Sequence, residues 1–195
     1  MDVQDENILF AGGASGGMFR STDGGLSWAM TTSPNQLHNV TCVAQDTRIG
    51  HEDTWYFGSG ELTGSSASGG EAYYGGNGIY KSVDGGLSWD SLAVTATNTN
   101  GFDSNFDFIW NVKTDPSNDS LDVVYAAVYS AIYRSENGGN SWVKVLGGGS
   151  AYYTNVEVTS TGVVYATLSS DGTDKGIWRS LDGQMDASIS PERES

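Results

Sequence analysis

Residues Phe19 to Trp28 read FRSTDGGLSW, and the chain repeats this stretch as IYKSVDGGLSW (Ile79 to Trp89) and IYRSENGGNSW (Ile132 to Trp142). A fourth copy opens as IWRSLDG at Ile177 and then diverges. The shared pattern is an aromatic residue, a basic residue, Ser, any residue, Asp or Asn, Gly-Gly, two further residues and Trp. Matches this close, recurring along one chain, mark a repeat architecture, so the repeat is read before anything else. The segment is called the box below. Two strand-like runs flank an Asp-Gly-Gly or Asn-Gly-Gly turn, which is hairpin chemistry. Gly24, Gly85 and Gly138 can take positive φ without a Cβ clash. Asp23, Asp84, Asn137 and Asp182 can accept hydrogen bonds from turn amides. Trp28, Trp89 and Trp142 each offer a large apolar face and an indole N–H that needs a partner.

The box serines Ser21, Ser82, Ser135 and Ser180 lie 61, 53 and 45 residues apart. The shortest interval approximates the ~40–45 residues of a four-stranded propeller blade. Each unit reads as strands A to D, with the box joining C to D. The first unit has B at Ile8 to Ala11, C at Met18 to Ser21 and D near Trp28, with no A strand before it. The second has A at Val40 to Ala44, B at Trp55 to Gly58, C at Ile79 to Ser82 and D at Trp89 to Leu92. The third has A at Phe108 to Val112, B at Val123 to Ala127, C at Ile132 to Ser135 and D at Trp142 to Val145. The fourth has A at Val156 to Val158, B at Val163 to Leu168 and C at Ile177 to Ser180. The predicted fold is all-β: four-stranded antiparallel blades over residues 1–183, the first and last partial, and a disordered tail over 184–195.

The box closely resembles the Asp-box, or bacterial neuraminidase repeat, on Ser21, Asp23, Gly25 and Trp28, on Ser82, Asp84, Gly86 and Trp89, on Ser135, Asn137, Gly139 and Trp142, and on Ser180 and Asp182. The resemblance implies a β-propeller superfamily that includes sialidases, xyloglucan-degrading glycosidases, sortilin-type receptors and a photosystem assembly factor. The boxes are then structural hairpins and their Asp residues turn-makers. Six or more blades are usual there, so the sequence reads as a fragment cut at both ends. Its lack of a signal peptide then carries little weight, and a secreted, periplasmic or cell-surface location is expected. A free fragment would self-associate through open blade edges.

Composition narrows the function. The chain has 27 Gly and 3 Pro in 195 residues and a net charge of −15. That charge opposes binding to nucleic acid or to an anionic membrane surface. No apolar run reaches the ~18 residues of a membrane helix, so no membrane insertion is expected. Cys42 is the single cysteine, within a β-branched run, and is expected to be a buried apolar residue. His38 and His51 are not spaced as metal ligands and read as loop residues. No cofactor is expected. The acidic A–B loops (Asp46 to Asp53, Asp115 to Asp122) could hold Ca²⁺ but lack EF-hand spacing, so solvated acidic loops are the expectation.

In a propeller the A–B and C–D loops share one face, and the B–C and D–A loops share the other. The long insertions fall on the second face. The B–C loop from Gly58 to Gly78 carries Glu61, Glu71, Tyr73, Tyr74 and Asn77. The D–A loop from Val94 to Asp107 carries Phe102, Asp103 and Phe106, and the next carries Tyr152 and Tyr153. Carboxylates among exposed rings suit a sugar, since rings stack on pyranose faces and carboxylates take hydroxyls. They would also suit a peptide, or the rings could pack the loops onto the blades. The candidate ligand residues are therefore Glu61, Glu71, Tyr73, Tyr74, Phe102, Asp103, Tyr152 and Tyr153.

Two activities implied by the resemblance can be tested on residues. Sialidases need a Phe-Arg-Ile-Pro segment and an arginine triad. The segment is missing, and Arg20, Arg134 and Arg179 are repeat residues with Lys81 as their equivalent, leaving Arg48 and Arg193. Xyloglucan-degrading members carry a first-blade Asp in a segment like Asp-x-Gly-Gly-Ala-Tyr-Arg. The matching stretch here is Ala14-Ser15-Gly16-Gly17-Met18-Phe19-Arg20, with Ala14 in the Asp position. The reading favoured from sequence is a propeller that binds glycan or protein through the B–C/D–A face and is inactive as this fragment. The alternative is a glycoside hydrolase whose carboxylates lie partly in other blades. A scaffold with no small ligand is the third.

Overall fold

The box closes on itself through its serine. Ser21 Oγ accepts from Gly25 N (2.9 Å) and donates to Asp23 Oδ1 (2.7 Å). Asp23 in turn accepts from Ser27 N (2.9 Å) and Ser27 Oγ (2.6 Å). Ser82 and Asp84 repeat this set with Gly86 and Ser88. Ser135 and Asn137 repeat it with Gly139 and Ser141, the Asn137 amide donating to Ser141 Oγ. Gly24, Gly85 and Gly138 have φ of 71°, 69° and 66°, as the Asp-Gly-Gly chemistry requires. Their amides donate to Asn7 O, Asp53 O and Asp122 O, so each box is pinned to the segment entering strand B. The connection is longer than a tight two-residue hairpin: Arg20 pairs with Ala29, Lys81 with Asp90 and Arg134 with Val143. The Ser–Asp hydrogen bonds do inside this wide loop what a two-residue turn would do by backbone alone.

The structure, a computed structural model, describes residues 1–36, 39–64, 72–99, 101–149, 153–169 and 175–181, with backbone alone at 63–64 and 72–73. It divides into two compact units, residues 1–109 and 110 onward. In the first unit, β1 (Leu9–Gly13), β2 (Gly17–Ser21) and β3 (Ala29–Met30) form a three-stranded sheet. β4 (Val40–Gln45) and β5 (Trp55–Ser59) pair in a second, four-stranded sheet. The chain then makes a separate hairpin, β6 (Glu61–Gly64) with β7 (Ala72–Tyr74). It returns as β8 (Ile79–Ser82) and β9 (Asp90–Ser91), completing the order β4-β5-β8-β9. Near the unit's end lies one 3₁₀ turn, Asn105–Asp107. The second unit holds the four-stranded sheet β10 (Ile109–Thr114), β11 (Val124–Val128), β12 (Ala131–Ser135) and β13 (Val143–Gly147). It also holds β14 (Thr154–Val158), β15 (Val164–Leu168) and β16 (Gly176–Ser180) as a three-stranded sheet. These pairings are antiparallel and join successive strands, except that β5 pairs with β8 across the β6–β7 hairpin, and the predicted A to D strands are recovered to within a few residues. Asp182 and the expected tail at 184–195 lie outside the described residues.

Burial alternates in β14 and β15, while β5 and β11 are buried on both faces. In the first unit Met18, Val40, Trp55, Phe57, Tyr80 and Trp89 are buried together, with Phe10 and Val43 against them. Phe57 stacks on Tyr80 with centroids 4.6 Å apart, and Trp89 meets Phe57 edge-on at 4.8 Å. In the second unit Tyr125, Ile132, Val156, Val164, Leu168 and Trp178 do the same. The basic residue of the repeat also finds a fixed partner, directly opposite it on strand B. Arg20 lies over Phe10, Lys81 over Tyr56, Arg134 over Tyr125 and Arg179 over Tyr165, at 5.4 to 5.9 Å from the ring centres.

Four sequence expectations need correction. The Gly58 to Gly78 insertion is not wholly loop, because β6 and β7 pair within it. The box tryptophans are not uniformly packed: Trp89 is 3% exposed but Trp28 is 43% exposed, and Trp142 lies between them in burial. Trp28 and Trp142 bond their own turns, at Gly25 O and Gly139 O, while Trp89 reaches Thr31 Oγ1 (2.9 Å) in the neighbouring sheet's exit. Cys42 is half-buried, its side chain lying beside Gly58. The acidic A–B loops are not simply solvated. Asp46 is buried in an ion pair with Arg48 (2.6 Å), and buried Asp115 holds Ser117 N and Oγ. Each carboxylate folds its own loop back on itself.

Candidate functional site

The B–C insertion is anchored by glycines that admit close backbone contact. Gly60, between β5 and β6, has φ +93°, and a Cβ there would collide with the Asp107 carbonyl. A Cβ on Gly76 would lie 2.6 Å from Gly60 N, and Gly76 N donates to Asp107 O (2.8 Å). The B–C hairpin and the following D–A loop therefore meet backbone to backbone. Glu61 pairs with Tyr74 across β6 and β7. Tyr74 is exposed, and its carbonyl and that of Gly75 accept from Asn39 Nδ2 at 3.3 and 3.2 Å. Asn77 and Asn98 exchange two bonds, Asn98 N to Asn77 Oδ1 (2.9 Å) and Asn77 Nδ2 to Asn98 Oδ1 (3.1 Å), tying the hairpin's return to the start of the D–A loop.

The D–A loop is ordered by a capping box spelled Ser104-Asn105-Phe106-Asp107. Ser104 Oγ accepts from Phe106 N (3.1 Å), and Asp107 Oδ2 accepts from Ser104 N and Asp103 N (both 2.8 Å). This presents Phe102 and Asp103 outward. Phe102 is exposed and meets Phe108 edge-on at 5.2 Å. Asp103 Oδ2 accepts from Thr99 Oγ1 (2.6 Å). The Thr99 hydroxyl, with that of Thr97, holds its carboxyl below the usual carboxylate range, so it stays anionic. Phe106 is buried and packs the loop down.

Of the sequence candidates, Glu61, Tyr74, Phe102 and Asp103 thus sit on two loops joined at Gly60, Gly76 and Asp107. Tyr153 belongs to the second unit, where its exposed ring tilts against Trp110 with centroids 5.0 Å apart. Glu71, Tyr152 and the side chain of Tyr73 lie outside the described residues. The residues that build the junction, Asn39, Gly60, Gly76 and Asp107, were not singled out from sequence. The Ser104-x-x-Asp107 spacing was a readable signal for the last. Ala14 lies at the tip between β1 and β2, where Gly13 pairs with Gly17, and its methyl group offers no proton chemistry. The box carboxylates serve their turns. Hydrogen bonds from the Ser27 hydroxyl and amide and from Ser21 lower Asp23 to about 2. At Asp84 partial burial pushes upward, but the Ser88 and Ser82 hydroxyls and the Ser88 amide outweigh it and also leave it at about 2.

No protein-family profile matches the chain. It is 24% identical over 216 residues to a xyloglucanase of Hypocrea jecorina (strain QM6a), across 92% of this chain and 24% of that protein. Among solved structures, an ancestral GH74 enzyme superposes with a TM-score of 0.64 at 23% identity, covering 86% of this chain and 21% of the other. YCF48 bound to D1 peptide superposes with a TM-score of 0.56 at 15% identity, covering 93% and 50%. The sheets are β-propeller blades. The chain spans 24% of the length of the curated relative it matches, and its likeness is to a glycoside hydrolase-type propeller.

Proposed function

We propose that this chain is part of a xyloglucanase-like glycoside hydrolase propeller of the Asp-box type, and that its B–C and D–A loops bind a β-glucan-type polysaccharide. The observation that carries this reading is the similarity to a xyloglucanase along 92% of the chain. The exposed Tyr74 and Phe102 rings, with the Asp103 carboxylate beside the second, supply the stacking and hydroxyl-accepting groups a sugar chain needs. This replaces the sequence preference for a binding module with its own alternative. The chain's share in such a protein is to hold the sugar, while hydrolysis needs a carboxylate pair, which Ala14 cannot supply. A secreted, periplasmic or cell-surface location suits that role, since the polymer lies outside the cell. A peptide ligand is the second reading, supported by the solved likeness to YCF48 bound to D1 peptide.

Binding of xyloglucan oligosaccharides to the full chain, followed by titration calorimetry, tests the proposal. Tyr74→Ala and Phe102→Ala should each weaken binding, and hydrolysis should be undetectable in the wild type. Binding unchanged in the double variant would overturn the site. Turnover that disappears in Glu61→Gln would overturn the division of roles.

A further inference from the structure

Among the described residues, three oxygens at the hairpin–loop junction have no hydrogen-bond partner: Asp107 Oδ1, Glu61 Oε2 and Asn39 Oδ1. Asp107 is 0% exposed and Asn39 6%. The capping box accounts for the other Asp107 oxygen, which takes Asp103 N and Ser104 N, and leaves Oδ1 unused. The Asn39 amide nitrogen is committed to Tyr74 O and Gly75 O, which fixes the remaining oxygen as an acceptor at the end of β7. Glu61 follows Gly60 directly and pairs with Tyr74. The Asp107 backbone meets Gly60 and Gly76, Glu61 follows Gly60 in the chain, and Asn39 bonds the Gly75 carbonyl next to Gly76.

Each of these atoms is an acceptor, and none has a donor among the described residues. Burying such oxygens unpaired is costly, most of all on carboxylates. Neither carboxylate has an ion-pair partner among the described residues. One shared proton could join two of the oxygens but would leave the third unmet. A hard cation satisfies all three together, and calcium accepts carboxylate, amide and backbone carbonyl oxygens in flexible geometry.

We propose that this junction is a calcium-type divalent cation site, with Asp107, Glu61 and Asn39 as side-chain ligands and the Tyr74 and Gly75 carbonyls beside them. The site is separate from the acidic A–B loops considered from sequence. Its effect is to lock the loop carrying Tyr74 to the loop carrying Phe102 and Asp103, so the stacking rings keep a fixed spacing. The proposal stands whatever ligand those rings take.

The test uses the full chain after chelation, with Ca²⁺ alone as the probe. Calorimetry and thermal unfolding should show uptake and a rise in Tm that chelator reverses. Glu61→Gln and Asp107→Asn should each weaken uptake by at least about tenfold, the loss that even an outer-shell partner can cause. Asp90→Asn, an exposed carboxylate on β9, should leave it unchanged. If Asp107→Asn fails to fold, Glu61→Gln decides. No uptake at millimolar Ca²⁺, or uptake equal in both junction variants and the wild type, would overturn the proposal. So would a gain in Tm on Asp107→Asn with no response to the ion, which would assign the junction to a shared proton.

Discussion

The first two boxes differ at one position between serine and tryptophan: Ser21-Thr22-Asp23-Gly24-Gly25-Leu26-Ser27-Trp28 against Ser82-Val83-Asp84-Gly85-Gly86-Leu87-Ser88-Trp89. The hydrogen bonds of Ser21 and Asp23 match those of Ser82 and Asp84, but Trp28 bonds its own turn and Trp89 does not. Their tryptophans are not alike, at 43% and 3% exposure. The second box is covered by the first sheet and the segment that leaves it. Phe10 lies where a Gly86 Cβ would go, Arg20 Nε donates to Gly85 O (2.9 Å), and Thr31 and Gln36 bond Trp89. Beside the first box, among the described residues, Gly25 has only Leu9 and its own Trp28 near its Cβ direction. The turn is thus a local product of its residues, while the burial of its tryptophan depends on the neighbouring sheet.

The largest way to break that comparison is at the tryptophans. Trp89→Ala should cost ~3–5 kcal/mol, as for a fully buried ring. Trp28→Ala should cost only about 1 kcal/mol, nearer a surface change. Urea unfolding of both variants would show it, and equal losses would mean that the two boxes share one environment after all. The glycines come next. Gly86→Ala sets a methyl group against Phe10 at φ +77° and should cost ~1–3 kcal/mol through overpacking and backbone strain. Gly25→Ala meets Leu9 at 3.4 Å and Trp28 at 3.6 Å, so it should carry the backbone penalty with little clash and lose less. A larger loss at Gly25 would reverse the assignment.

The smallest effect separates the third box from the first two. Asp23 and Asp84 sit at about 2, below the carboxylate's ordinary 3.8, whereas Asn137 does not titrate. A depressed folded-state pKa gives stability that is present above the unfolded value and lost as pH falls through the folded one. The first two boxes should therefore loosen between about pH 4 and pH 2, and the third should not titrate in that window. Carboxyl carbon shifts followed by NMR would give both values directly. A midpoint near 4 for either residue would contradict the hydrogen-bond set, and Asp84→Asn should remove that box's titration while leaving its turn intact.

The strands were readable because each carries its own signal: β-branched or aromatic alternation in Val40–Gln45, Val124–Val128 and Val164–Leu168, punctuated by the box. The β6–β7 hairpin was not, since Gly and Ser in that insertion give neither alternation nor β propensity and the pairing rests on tertiary anchors at Gly60 and Asn39. Trp28 and Trp89 could not be told apart for the opposite reason. Their local sequences are nearly identical, and what differs lies in Phe10, Arg20 and Thr31, some way off in the chain or on another strand. At the site, exposed rings at Tyr74 and Phe102 were legible as aromatics in long loops. The buried junction beneath them was not, because Asn39 and Asp107 look like ordinary loop residues until Gly60 and Gly76 bring their segments together.

The pairing of each repeat cation with a ring has a further consequence for the chain's electrostatic field. The chain has nine Lys and Arg against 24 Asp and Glu. Four of the nine lie over strand-B rings, and Arg48 is buried against Asp46. Five of the nine cations thus face a ring or a carboxylate, though of these only Arg48 is buried and Arg179 stays exposed. An incoming acidic polymer meets repulsion that deepens at low ionic strength, while an uncharged polymer feels none. The acidic excess, which the ring-bound cations do little to offset outside the blades' own strands, therefore disfavours uronic or sulfated polymers relative to neutral ones.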